Sequence, residues 1–153
     1  MDWPKLTNPE HIPSPGLLID PDRVSRNIDR MISAVGTDGI DRLRPHVKSH
    51  KMIEVMRLQM DRGINKFKAA TIAELEMVAE AGAKDVLMAY QPVGPNIKRL
   101  AGLIDRFPET SFAAVTDNMA SAQAIADQLG DGRNPFRLFI DIDCGMHRTG
   151  IAI

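Results

Sequence analysis

The stretch "KFKAATIAELEMVAEAGAKDVLMAY", Lys66 to Tyr90, decides the fold. Its two ends are short and mostly apolar, as parallel strands covered by helices are. Between them "TIAELEMVAEAG" carries a helical period: Ile72, Leu75, Val78 and Ala79 share one face, Glu74, Glu76 and Glu80 lie mainly elsewhere, and Gly82 stands where a helix-ending glycine belongs. A strand, a helix and a second strand in so short a span make a βαβ unit, whose strands run parallel.

The same step repeats in both directions. Upstream, "GLLID" (16–20) reads as a short strand, and "PDRVSRNIDRMISAVG" as a helix with Asp20 as N-cap, Pro21 at its first position and Gly36 at its end. Then come strand "LRPHVKSH" (43–50), a helix over about 51–62, strand "NKFKAA" (65–70) and the helix over about 71–81. Downstream of "DVLMAY" (85–90) follow a helix over about 95–106, strand "SFAAVT" (111–116), a helix over about 117–129 and strand "FRLFIDID" (136–143). With "GLLID" set aside, five strands remain, whereas a closed (β/α)8 barrel needs eight and typically about 250 residues. The array is therefore either an open five-stranded sheet or part of a barrel. The closing "GIAI" favours the second reading, in which the remaining strands lie outside these residues.

Composition sets wide bounds. The chain has 153 residues, a formal net charge of −1, one quarter charged residues and a single cysteine, Cys144. Such a chain buries a sizeable core without disulfides or a structural metal. One cysteine excludes an internal disulfide and any Cys-based zinc arrangement, and points to a reducing compartment. The N-terminal "MDWPKLTNPEHIPSPG" lacks an apolar signal core and no later run reaches the ~18 residues of a membrane helix, so the expected location is the cytoplasm, away from membranes. Near-neutral charge, one Trp and one Tyr argue against a nucleic-acid partner.

Against that neutral background "RLRPHVKSHK", Arg42 to Lys51, is dense in cations. As a strand it places Arg44, His46 and Lys48 on one face. Cations on an inner strand are costly unless the face opens onto a ligand or a fixed anion. Lys48 stands at the strand's carboxyl end, where α/β folds form their ligand crevice, and a lysine buried there beside other cations gains neutral, nucleophilic character. A solvated anion patch is the plain alternative. His46 and His50, four apart, would share a helix face and could pair on a metal, but Pro45 opposes a helix and no acidic third ligand is near. The metal expectation is none.

The second cluster is "FIDIDCGMHRTG", Phe139 to Gly150. Phe139, Asp141 and Asp143 share one strand parity, and a turn bearing His147 and Arg148 follows. Asp143 reads equally as a cap for the next helix. Asp141, deeper in the strand, needs a cation, and Arg148 or a cation of the first motif could supply it. Cys144 reads as a small packed side chain. No glycine fingerprint for a dinucleotide or a nucleoside triphosphate is present. The loop "YQPVGPN" offers Tyr90 or Gln91 to a ligand, or is simply a loop.

From Ser14 onward, "SPGLLIDPDRVSRNIDRM", "RPHVKSHK", "AATIAELEMVAEAGAKDVLMAYQPVG" and "LFIDIDCGMHRTG" together resemble the fold-type III pyridoxal-phosphate (PLP) enzymes, whose cofactor domain is the alanine-racemase-type barrel. Within them the chain is most similar to the D-threonine aldolase and D-serine dehydratase branch. The resemblance implies an α/β fold, a partial (β/α)8 TIM barrel with about five of eight strands. Residues 1–14 are then an N-terminal extension and 15–153 an incomplete PLP-binding barrel, without the family's C-terminal β domain. It implies that Lys48 forms the Schiff base with PLP, that Arg148 lies beside the cofactor ring, and that His46 is a neighbour. In racemase relatives a modified, negatively charged lysine occupies the place of Asp141, which makes Asp141 the expected partner that orients Arg148. "GLLID" becomes a strand preceding the barrel proper, associated with the C-terminal domain.

The activity so implied is lysis of a D-amino acid, by aldol cleavage of D-threonine-like substrates or dehydration of D-serine, with PLP as electron sink. The divalent metal of the full-length family would have its ligands outside this chain. A non-catalytic PLP-binding protein of the same barrel type, or an inactive truncated product, is the competing expectation. An incomplete barrel exposes apolar surface and sheet edges, so self-association into a homodimer, or association with a full-length relative, is expected.

Overall fold

The computed structural model describes residues 5–130 and 136–152. Four parallel strands form one sheet in the order β1-β2-β3-β4: β1 is Lys66–Ala69, β2 Asp85–Met88, β3 Ser111–Thr116 and β4 Arg137–Ile140. Helices alternate with them: α1 Pro21–Val35, α2 Ile53–Met60, α3 Ile72–Glu80, α4 Pro95–Arg106 and α5 Met119–Leu129. Sequential strands that pair in order through helical crossovers are the βα array read from the sequence.

Local chemistry fixes the helix starts. Asp20 accepts the Arg23 N–H ahead of Pro21, Thr71 accepts the Glu74 N–H, and Asn118 accepts the Ser121 N–H. The core lies between the sheet and helices α2 to α4, where Phe67, Ile64, Leu75, Val78, Val86 and Leu100 are fully buried. Each such side chain contributes roughly 1.5–3 kcal/mol.

The strands alternate. In β1, Phe67 and Ala69 face the helices while Lys66 and Lys68 face the other side, half-buried. On that other face Asp85 accepts from Arg44 Nη1 at 2.5 Å and from Arg137 Nη2 at 2.6 Å. Arg137 belongs to β4 and Asp85 to β2, so this bond crosses β3, where Ala113 pairs in register with Arg137 and is small enough to let the guanidinium pass. Arg44 thus finds the fixed anion its position requires.

Two expected strands do not form. "LRPHVKSH" makes only a single parallel bridge, His46 to Lys68, supported by the Lys68 N–H to Pro45 O bond of 2.9 Å. Pro45 has no N–H to donate, and the Lys48 N–H is taken by His46 Nδ1 at 3.3 Å, which turns Val47–Ser49 into a 3-10 helix. Among the described residues the sheet therefore has four strands, with the His46–Lys68 bridge in place of a fifth. Residues 16–20, "GLLID", pair with no strand among the described residues, and Leu17 is 74% exposed.

Candidate active site

The turn that replaces the expected strand sets the site. Val47, fully buried, anchors it in the core, while the N–H groups of His50 and Lys51 both return to Val47 O. Lys48 therefore stands just beyond the sheet, exposed, at the carboxyl ends of the strands. This corrects the expectation of a buried lysine: Lys48 is at the rim of a cleft rather than on a strand's inner face.

That cleft, about 310 Å³, is lined by His46, Lys48, Lys68, Ala89, Tyr90, Asp141, Ile142, Asp143, Cys144, Met146, Arg148 and Thr149. It is at the small end of the range for small-molecule sites, roughly 300–1,000 Å³. It unites the two sequence clusters: His46 and Lys48 from one, Asp141 and Arg148 from the other. Arg44 of the same parity is not in it, being engaged with Asp85 at the opposite end of the sheet.

The second cluster is folded by Asp143. Its carboxylate accepts the N–H groups of Gly145 and His147, each at 2.9 Å, and lies 3.0 Å from His147 Nδ1. These hydrogen bonds, the His147 N–H first, hold the Asp143 carboxyl below its ordinary value. No helix follows Asp143 among the described residues, so it holds its own turn together instead of capping a helix. Ile142 bridges back to Ile151 in parallel, through Asp143 N–H to Ile151 O and Ile151 N–H to Asp141 O, both 2.9 Å. Gly150 makes this return: its φ is +98°, and a Cβ there would meet Asp143 N at 2.6 Å.

Arg148 is oriented otherwise than expected. Its Nη2 donates to Tyr90 Oη at 2.7 Å, not to Asp141. Asp141 follows β4 into the cleft, where its backbone is committed to Thr116 and Ile151. The return of the chain after Gly145 carries the guanidinium over the end of β2, which brings the Tyr90 hydroxyl within reach. Gln91 is spent elsewhere, accepting from Asn118 Nδ2 at 3.2 Å.

Electrostatically the cleft has more cations than anions. Lys48, Lys68 and Arg148 face Asp141, since Asp143 is occupied by its own turn. His46 is held below its usual pKa by burial first and then by the Lys48 and Lys68 charges, so at neutral pH it is uncharged. Its Nδ1 accepts the Lys48 N–H, which leaves the proton of the neutral ring on Nε2. His50 likewise uses Nδ1, to accept the Met52 N–H at 3.1 Å. Among the described residues no three His, Cys, Asp or Glu side chains gather to hold a metal.

Sequence reasoning missed Lys68. The signal was present: in "NKFKAA" polar residues alternate with apolar ones, so Lys66 and Lys68 had to share the face opposite Phe67.

A parallel βα array with a cation-rich cleft at the strands' carboxyl ends is the architecture of a barrel-type fold, whose sites form at that face. Residues 19–153 match the model of the alanine racemase, N-terminal domain family, and the chain belongs to it as a partial (β/α)8 barrel. It is 33% identical over 139 residues to D-threo-3-hydroxyaspartate dehydratase of Delftia sp. (strain HT23), covering 91% of this chain and 36% of that protein. It is 34% identical over 146 residues to 3-hydroxy-D-aspartate aldolase of Paracoccus denitrificans, with 92% and 36% covered. The crystal structure of D-threonine aldolase from Filomicrobium marinum superposes with a TM-score of 0.80 at 24% identity, over 91% of this chain and 37% of that one, a likeness of fold. The chain thus spans little more than a third of the length of these relatives. No helix among the described residues is long and apolar enough to cross a membrane.

Proposed function

We propose that this chain carries the lysine-bearing part of a PLP-dependent lyase acting on β-hydroxy-D-amino acids, by aldol cleavage of D-threonine-like substrates or dehydration of D-serine. The observation that carries the reading is the convergence of Lys48, His46, Lys68 and Arg148 on one cleft at the carboxyl ends of the strands. The residues fit the cofactor. It has an aldehyde that an accessible primary amine can hold, and a phosphate that a cation-rich cleft attracts; burial first, and then the Lys48 and Lys68 charges, hold His46 below its ordinary value.

In this proposal Lys48 Nζ is the attachment point, and its turn, locked by Val47, aims it. Arg148, held by the Tyr90 hydroxyl, would offer its charge to the cofactor in the cleft. His46, neutral with its proton on Nε2, can donate that proton in the cleft. Lys68 adds a fixed positive charge there for an anionic group. When bound, PLP supplies the electron sink for breaking a bond of the amino acid. The relatives' names support the substrate class: both the dehydratase and the aldolase that the sequence matches carry 3-hydroxyaspartate. Completion of the barrel by a second copy or by a longer relative belongs to the same proposal, as does a location in the cytoplasm.

The test is chemical. The protein is incubated with PLP, reduced with borohydride and digested, and the modified peptide is identified. Modification at Lys48, lost in Lys48→Ala, is the expected result. A folded sample modified at another lysine, or at none, overturns the assignment.

A further inference from the structure

The motif contains two lysines three residues apart, Lys48 and Lys51, with the same chemistry and both exposed. The structure treats them differently. Lys51 Nζ forms an ion pair with Glu74 Oε1, whereas Lys48 has no side-chain partner among the described residues. Glu74 departs from the helical-wheel reading that set it away from the core: it is 4% exposed, at the first turn of α3. Its Oε2 accepts the Ala70 N–H at 2.7 Å, and its own N–H goes to Thr71 Oγ1 at 3.2 Å. The carboxylate is thereby rigid before Lys51 meets it. Burial opposes its ionisation, but the hydrogen bonds of Lys51 and Ala70 outweigh this and hold it below its ordinary value.

Lys51 is also the end of the Lys48 turn. Its N–H closes on Val47 O at 2.8 Å, and its φ of +50° is a left-handed conformation that a residue other than glycine seldom keeps without support. The pair with Glu74 provides support at that point, while Val47 holds the other end in the core.

We propose that Glu74 is a positioning residue that selects the reactive lysine: by binding Lys51 it removes that amine from competition and fixes the turn that presents Lys48. The proposal deepens the reading of Lys48 as the PLP lysine, yet the protection of Lys51 can be measured without PLP. A free amine adds to an aldehyde carbon, water leaves, and borohydride delivers hydride to the carbon–nitrogen double bond; an ammonium held by a carboxylate reacts more slowly.

The experiment compares the full chain with Glu74→Gln and Glu74→Asp. Each is modified with formaldehyde and borohydride, and separately with PLP and borohydride, and the label at Lys48, Lys51 and the exposed reference Lys98 is quantified by peptide mapping. In the unaltered chain, formaldehyde should label Lys51 roughly three- to tenfold more slowly than Lys98, below the full worth of a hydrogen bond between charged groups because Lys51 is exposed. Glu74→Gln should bring Lys51 to the rate of Lys98 and spread PLP label from Lys48 onto Lys51; Glu74→Asp should largely restore selectivity. Equal formaldehyde labelling of Lys51 and Lys98 in the unaltered chain overturns the proposal and needs no variant to fold. So does an unchanged Lys51 rate in folded Glu74→Gln, checked by circular dichroism. If PLP fails to label Lys48 while the formaldehyde pattern holds, the lyase reading falls and the Lys51 protection stands. The reverse pattern removes the inference and leaves the lyase reading in place.

Discussion

Replacing Asp85 by Asn tests whether the far end of the sheet is held by charge. Asp85, 9% exposed, bonds Arg44 at 2.5 Å and Arg137 at 2.6 Å. A hydrogen bond between charged groups is worth about 1.5–3 kcal/mol when part-buried, as the Arg44 bond is. The Arg137 side chain is 43% exposed, so its share is screened to about 0.5 kcal/mol. The amide keeps some hydrogen bonding but leaves two guanidinium groups without a countercharge, so the expected loss is about 2–3 kcal/mol. For a chain of this size that lowers Tm by roughly 4–12 °C. The pH dependence has a definite sign. Burial favours the protonated form, but the Arg44 and Arg137 hydrogen bonds prevail and hold the Asp85 carboxyl below its ordinary value. The contribution is therefore complete above the unfolded value of about 3.9 and is lost as pH falls through the lower folded value. Urea unfolding followed by circular dichroism at pH 7, 5 and 3 should show the gap between the unaltered protein and Asp85→Asn constant from 7 to 5 and narrowed at 3. Arg44→Met in both backgrounds should give a coupling above about 1 kcal/mol. A variant within 0.5 kcal/mol of the unaltered protein at pH 7, judged against the usual noise of additivity, would refute the reasoning.

Tyr90→Phe removes the hydroxyl that holds Arg148. Because both groups are exposed, PLP binding followed by absorbance should weaken only about two- to fivefold, the worth of a modest hydrogen bond; unchanged affinity would mean that Tyr90 does not position Arg148. His46 and His50 are each held below the usual histidine value, burial being the first cause in both. Folding therefore favours their neutral forms, and the protein loses stability as pH falls below about 6.5 through the folded values. Titration of the ring signals by NMR should give midpoints under 6.5 for both, and a midpoint at or above it for His46 would remove the crowding by Lys48 and Lys68.

The βα array was legible because its signals are local. Asp20 before Pro21 gives a helix start; the short run "NKFKAA" before a helical period gives a strand; Gly82 ends α3 with φ of +90°. The expected span of α4 and the strand "SFAAVT" both appear as read. So was the attraction of "RPHVKSHK" and "IDIDCGMHRTG" to a ligand end, since chemistry-bearing residues at the carboxyl ends of parallel strands share one crevice whatever their separation in sequence. Family membership follows from the same motifs.

What the sequence could not decide are the pairings that depend on which side chain arrives first. Alternation put Arg44, His46 and Lys48 together, but Asp85 reaches Arg44 across the sheet, and His46 takes the Lys48 N–H and ends the strand after one bridge. Asp141 was the reasonable partner for Arg148 by charge and nearness in sequence, yet the turn built by Asp143 and Gly150 delivers the guanidinium to Tyr90 instead. Glu74 looked like a solvated helix residue until Lys51 came to meet it. Period and propensity are properties of a segment, and the sequence contains them. A hydrogen bond between residues decades apart depends on the directions in which two separately folded segments leave the sheet, and only the assembled structure sets those.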